Sequence, residues 1–232
     1  MTKRFYKDVA AVEAEGGFAV TLDTRTIKTP AGSALTLPTH ALADAVAGEW
    51  DAQGDEVDPK SMPLMQLSGT AIDRVPNVRD GLIEGILRYA DTDLLCYRAD
   101  HPDDLIASQN ATWQPLLEWA DDTFGAKFKV VTGIIPVEQN VKVCEALRSS
   151  LVKLDDWTLT ALGELVGISG SIIVGLAVLK GRIDAEQALL ACQLDEDYQN
   201  GRWGKDAEAL ARRKNIQADL VTTTRFLELL SA

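Results

Sequence analysis

The feature that most limits what this chain can become is a change of apolar period at Pro38. Before it, apolar residues alternate in short runs between closely spaced turns; after it, they return every three or four positions. Phe5 to Val12, Phe18 to Leu22, Thr26 to Thr29 and Leu35 to Leu37 read as short strands. Glu15-Gly16-Gly17, Asp23-Thr24-Arg25 and Pro30-Ala31-Gly32 separate them as turns. A sheet with so few apolar residues cannot stand alone and must lean on another element. Thr39 is a good N-cap, and Leu42, Val46 and Trp50 fall at i, i+4 and i+8 on one helical face. That helix should stop near Gly54, where the polar, Pro59-containing stretch 55–60 reads as a linker.

Beyond the linker the pattern predicts helices over 62–75 and 77–89, parted by Pro76, and over 103–124, with Pro115 bending or breaking it. Lys127 to Val131 alternates like one further strand. Helices then follow over 138–151, 155–166, 169–180, 184–203 and 205–230, with Asp155 and Asp184 as N-caps and Gly167 and Gly181 as stops. The fold class is therefore α+β. A small N-terminal antiparallel β module with one helix occupies residues 1–58, and a larger, mainly α-helical domain occupies 59–232. Gly167, Ser171 and Gly175 recur every four residues in the most apolar segment, a stripe of small residues that would let a second helix approach closely. The segment lacks a Gly-Lys-Ser/Thr ending, which argues against a phosphate-cradling loop.

Charge excludes several partner classes. Lys and Arg total 23 against 35 Asp and Glu, a formal net charge of −12, which repels phosphate backbones and anionic lipid. The compact basic run Arg212-Arg213-Lys214 reads as a solvated face. Leu165 to Leu179 is apolar over 15 residues, short of the ~20 a membrane helix needs. Cys96, Cys144 and Cys192 are dispersed and odd in number, which suits reduced thiols better than a disulfide framework or a zinc site. The N-terminus has no apolar run behind its charges and is not Arg-rich, so neither a secretory signal nor a transit peptide is expected.

Catalytic chemistry is hard to place. Only His40 and His101 could serve as histidine bases, and both lie in polar surroundings. No Gly-x-Ser-x-Gly elbow and no metal-spaced histidine pair occurs. Two carboxylate clusters, Asp91/Asp93 and Asp195/Glu196/Asp197, leave open a carboxylate-dependent hydrolase, because paired acids can separate their pKa values. A small-ligand or regulatory module is a further alternative. Polar residues beside aromatics stand out more: Trp50 with Gln53, Gln109 with Trp113 and Trp119, and Tyr198 and Gln199 with Trp203. Such pairings suit protein–protein contact, although Trp50 and Trp119 also match apolar stripes and read as core.

These residues also carry a family likeness. The stretch from Val20 to Pro30, Glu49-Trp50-Asp51-Ala52-Gln53, Met62-Pro63-Leu64-Met65 and Thr70-Ala71-Ile72-Asp73 resemble the F1-ATPase assembly chaperones that act on the alpha subunit. The run from Arg88 to Ala99 is the most specific match. Gln109 with Trp113-Gln114-Pro115-Leu116, and the spacing from Tyr198-Gln199 to Trp203-Gly204, extend it in the same order. The resemblance implies a β module plus a helical domain and a binding role without catalysis, cofactor or metal. The implied client is free alpha subunit, its interface shielded until beta assembles. It further implies an important acidic residue in the C-terminal region, for which Asp195, Glu196 and Asp197 are the candidates. Tyr198, Gln199 and Trp203 are the partner-binding residues expected beside them. The expected protein is a bacterial, cytoplasmic member that is monomeric when free and binds neither nucleic acid nor membrane.

Overall fold

The computed structural model describes residues 2–133, 135, 138–204 and 207–232, without the side chains of Thr2 and Trp203. The chain divides into two compact units that do not follow chain order. The first holds Met1–Arg79, Asp155–Ala161 and Arg225–Ala232; the second holds Asp80–Leu154 and Leu162–Thr224. The expected boundary after residue 58 falls inside the first unit.

In the first unit the Gly16-Gly17 turn joins β2 (Val9–Ala14) to β3 (Gly17–Leu22), antiparallel with Ala14 opposite Gly17 and Val9 opposite Leu22. Gly17 has φ +156°, and a Cβ there would collide with the Leu37 carbonyl oxygen, so only glycine fits. The short β4 (Arg25–Thr26) completes this sheet, while β1 (Thr2–Lys3) pairs with β5 (Glu56–Val57) in a separate ribbon. Two expected strands shrink: Lys28–Ala34 and Phe18–Leu37 are isolated bridges. Asp23 explains the second turn. It sits at φ +55°, and its carboxylate accepts from the backbone N–H of Lys7 and Asp8, both at 3.0 Å.

Helix α1 (His40–Asp51) covers the sheet with Leu42, Ala43, Val46 and Ala47. Thr39 caps it, accepting from Leu42 N at 3.2 Å and donating to the Leu229 carbonyl at 2.6 Å. The sheet therefore leans on α1, as its thin apolar content requires. Helix α2 (Pro63–Asp73) adds Leu64 and Met65 to the same core, and Ala161 and Phe226 reach it from late in the chain. The linker reading of 55–60 is corrected: Glu56–Val57 is a strand, and Gln53 knots the stretch. Its amide donates to the Glu49 carbonyl and Ser61 Oγ, both at 2.9 Å, and accepts from Asp58 N at 2.7 Å.

Helix α3 (Val75–Arg88) takes Pro76 in its first turn and kinks at Val78. In the second unit, α4 (Asp103–Phe124) runs through Pro115 and stops at Gly125, whose φ of +68° suits glycine. The strand expected at Lys127–Val131 is reduced to β7 (Val131–Thr132), parallel to β6 (Tyr97–Arg98). Helix α5 (Val141–Leu151) starts at its cap Asn140. Helix α6 (Asp156–Ser169) ends at Gly170, and Ser171 caps α7 (Ile172–Leu179), buried from Ile172 to Val178. The stripe of small residues is thus corrected. Gly167 and Gly175 lie on different helices, and Ser171 stands between them. Gly175 alone makes a close approach: a Cβ there would meet Val166 Cγ2 at 2.7 Å. The expected helix over 184–203 is two, α8 (Ala185–Cys192) and α9 (Leu194–Trp203), parted at Gln193. Helix α10 (Ala207–Leu230) closes the chain; the expected start at Lys205 lies outside the described residues. No helix among the described residues is long and apolar enough to cross a membrane.

Candidate functional site

Because the chain breaks at Gln193, Asp195, Glu196 and Asp197 form the first turn of α9. Helix starts favour negative charge, since their N–H groups lack partners within the helix. Successive side chains diverge by about 100° around the axis, and each carboxylate meets a different partner. Asp195 Oδ1 accepts from Gln109 Nε2 at 2.8 Å. Glu196 accepts from Gln193 Nε2 at 2.6 Å and lies 3.7 Å from Arg212. Asp197 binds Arg213 through two hydrogen bonds of 2.7 and 2.9 Å, which raise the Arg213 pKa. The basic run expected to be a solvated face therefore includes two counter-ions for α9.

Further along α9, the Tyr198 hydroxyl donates to Asp104 Oδ1 at 2.6 Å. Arg202 approaches the other oxygen at 3.2 Å and lies over the Tyr198 ring at 5.0 Å. The Tyr198 hydrogen bond holds the Asp104 carboxyl below the ordinary range. Gln199 is exposed, and the Trp203 side chain lies outside the described residues.

Beneath Asp195 is a buried layer. Gln109 is 1% exposed; its amide bridges Asp195 and the Ala99 N–H, which it accepts at 2.8 Å. Trp113 is fully buried and donates to the Ala191 carbonyl at 2.8 Å, so it is core and not contact surface. Arg98 is 7% exposed and lies over the Trp113 ring at 5.2 Å. Its Nη1 reaches Asn110 at 3.5 Å, but Nε and Nη2 are buried and find no acceptor among the described residues. Burial pulls the Arg98 pKa down, with Cys96 and Asp195 opposing it. Nothing in the sequence marks Arg98 as buried, because a cation that follows Leu94-Leu95-Cys96-Tyr97 reads as surface.

Asp91 and Asp93 face different partners. Asp91 Oδ1 accepts from Gln139 N at 3.3 Å. Asp93 is fully buried, accepting from Ser171 Oγ at 2.8 Å, Leu95 N at 3.0 Å and Ile173 N at 3.2 Å. Burial pushes its carboxyl up to about 6 against those hydrogen bonds. These contacts join the residues after α3 to the start of α7. His40 and His101 sit on the surface beside Asp44 and Asp100. Cys96 and Cys192 are buried, which pushes both thiols up, Cys192 to about 12. Among the described residues no three His, Cys, Asp or Glu side chains gather as metal ligands.

Comparison with known proteins places this arrangement. The family of the ATP12 chaperone protein matches residues 3–121, half of the chain. This chain belongs to the ATP12 chaperone family. The mitochondrial protein atp12 of Schizosaccharomyces pombe is 30% identical over 97% of this chain and 83% of its own length. The crystal structure of Atp12 from Paracoccus denitrificans superimposes with a TM-score of 0.94 at 41% identity, covering 99% of this chain and 98% of that one. An Asp-to-Lys variant of the Paracoccus Atp12p gives the same values. The family extends over both compact units, and the resemblance read from the sequence is that of an ATP12 chaperone of ATP synthase assembly.

Proposed function

We propose that this protein holds the free alpha subunit of the F1-ATPase and shields its interface until beta subunit displaces it. The observation that carries the reading is ATP12 membership sustained over nearly the full length of both this chain and its Paracoccus relative. An unassembled subunit exposes an apolar interface that drives aggregation, and a strongly acidic partner keeps the complex dispersed. The outward surface of α9, with Glu196, Tyr198 and Gln199, contacts the client, while Asp195 and Asp197 fix the helix to Gln109 and Arg213. The chaperone is a monomer in the bacterial cytoplasm, uses no cofactor and turns over no substrate. Two features disfavour the hydrolase alternative: each carboxylate of both clusters is tied to a separate donor, and Asp93 is closed off from solvent.

The test is capture and protection of isolated alpha subunit without nucleotide. Purified chain should retain alpha on a column and suppress its aggregation at about equimolar ratio, with micromolar affinity of about −8 kcal/mol. Retention of beta in place of alpha, or aggregation unchanged at excess chaperone, would overturn the assignment.

A further inference from the structure

The first unit contains an apolar groove of about 320 Å³ that the α9 surface does not involve. Buried Val57, Met62 and Met65 line it, and Trp50 and Phe5 contribute aromatic surface. Phe5 is 66% exposed, although the edge-on contact of its ring with Tyr6, at 5.4 Å, ties it to the core. Two methionines give the groove an adaptable lining, because thioether side chains refit to varied shapes. Trp50 is anchored by its carbonyl, which accepts from the Tyr6 hydroxyl at 2.7 Å, yet its own indole N–H is buried and finds no acceptor among the described residues. A buried donor without a partner is disfavoured, and a carbonyl supplied by an occupant would meet it. Among the described residues Lys28 is the one ionisable side chain lining the groove, and it is a cation on a chain of net charge −12.

From this combination we infer that the groove receives an extended client segment in which one bulky apolar side chain is followed by a carboxylate. The apolar side chain enters between Phe5, Trp50 and the methionines. The following acid meets Lys28, against the general repulsion that the rest of the chaperone offers acidic chains. The volume suits one or two large side chains and not a helix, so the client presents here as a strand or loop. The inference rests on the chaperone reading for the client, but the groove is separate from α9.

The probe is an acetylated, amidated Gly-Leu-Phe-Asp-Gly peptide, titrated into full-length protein with nitrogen-15 in its tryptophans. The Trp50 indole resonance is assigned as the one that Trp50→Phe deletes. It should move with a Kd on the order of 1 mM, and a peptide with Lys in place of Asp should bind about tenfold more weakly. A stationary resonance, equal response to both peptides, or movement with protein concentration alone (self-association) would each overturn the inference. In a second arm, Lys28→Glu, an exposed change that leaves the melting temperature in place, should weaken capture of isolated alpha about tenfold. Undiminished capture by that variant overturns the groove while leaving the chaperone reading intact. If the unaltered protein captures no alpha, the chaperone reading fails and the peptide titration alone decides the groove.

Discussion

Asp93 shows how a single buried group can reverse the usual response of a protein to acid. Its carboxyl is raised to about 6 in the folded chain by burial, above an unfolded value near 3.9. The folded state therefore holds the proton more tightly. Stability from this group is fully present below the unfolded value and is lost as pH rises through about 6, about 3 kcal/mol in all. Exposed carboxylates with lowered values, such as Asp104 and Glu84, act in the opposite sense. Urea unfolding of the protein and of Asp93→Asn should isolate the term. Between pH of about 7 and about 5 the unaltered protein should gain roughly 1 kcal/mol relative to the variant. A difference independent of pH would show that Asp93 is not titrating in this range. Arg98 makes the complementary case, because its unused donors offset what its stacking on Trp113 contributes. Arg98→Met is expected to match the parent protein or exceed it by about 1 kcal/mol, whereas Arg98→Ala, which leaves a void, should fall below it. A clear loss in the methionine variant would mean the guanidinium is fully satisfied.

At the level of elements, α9 is held by polar contacts at both ends of its exposed length. Asp197 and Arg213 are each about a third exposed, so solvent screens their attraction. A double-mutant cycle with Asp197→Asn and Arg213→Ala should give a coupling of only about 0.5 kcal/mol, shrinking in high salt. A much larger, salt-insensitive coupling would mark the pair as buried structural support. The hairpin of β2 and β3 depends on a steric condition instead. Gly17→Ala places a Cβ against the Leu37 carbonyl and should cost about 2 kcal/mol, a fall in melting temperature of about 4–8 °C. Gly16→Ala in the same turn has open space around its Cβ and strains only the backbone at φ +82°, so it should cost less.

For the whole molecule, the compact unit around the sheet is assembled from segments far apart in sequence. Its core includes Met62, Leu64, Met65, Ala161 and Phe226 beside the residues of β3 and α1. A fragment of residues 1–58 is consequently expected to give the narrow amide spectrum of an unfolded chain, and a fragment ending at Arg79 would still lack Phe226. Cooperative unfolding by the 1–58 fragment would show that the β module and α1 suffice on their own.

Period, caps and turn residues act through neighbours within a few positions, and these were legible. The change at Pro38, the cap at Thr39, the cap at Asp184, the turn at Gly16-Gly17 and the α+β class follow from local geometry, and the family likeness from residues in linear order. What the linear order did not carry were pairings between distant residues. Asp93 with Ser171, Gln109 with Asp195, and Arg213 with Asp197 join positions whose polar character alone suggests surface. The break at Gln193 was hidden for a related reason: helical periodicity persists across a one- or two-residue interruption, whereas the stop expected at Gly167 exists but falls at Gly170. Burial decides whether an acid is a cap, a counter-ion or a contact, and burial is a property of segments that meet only once the chain has folded.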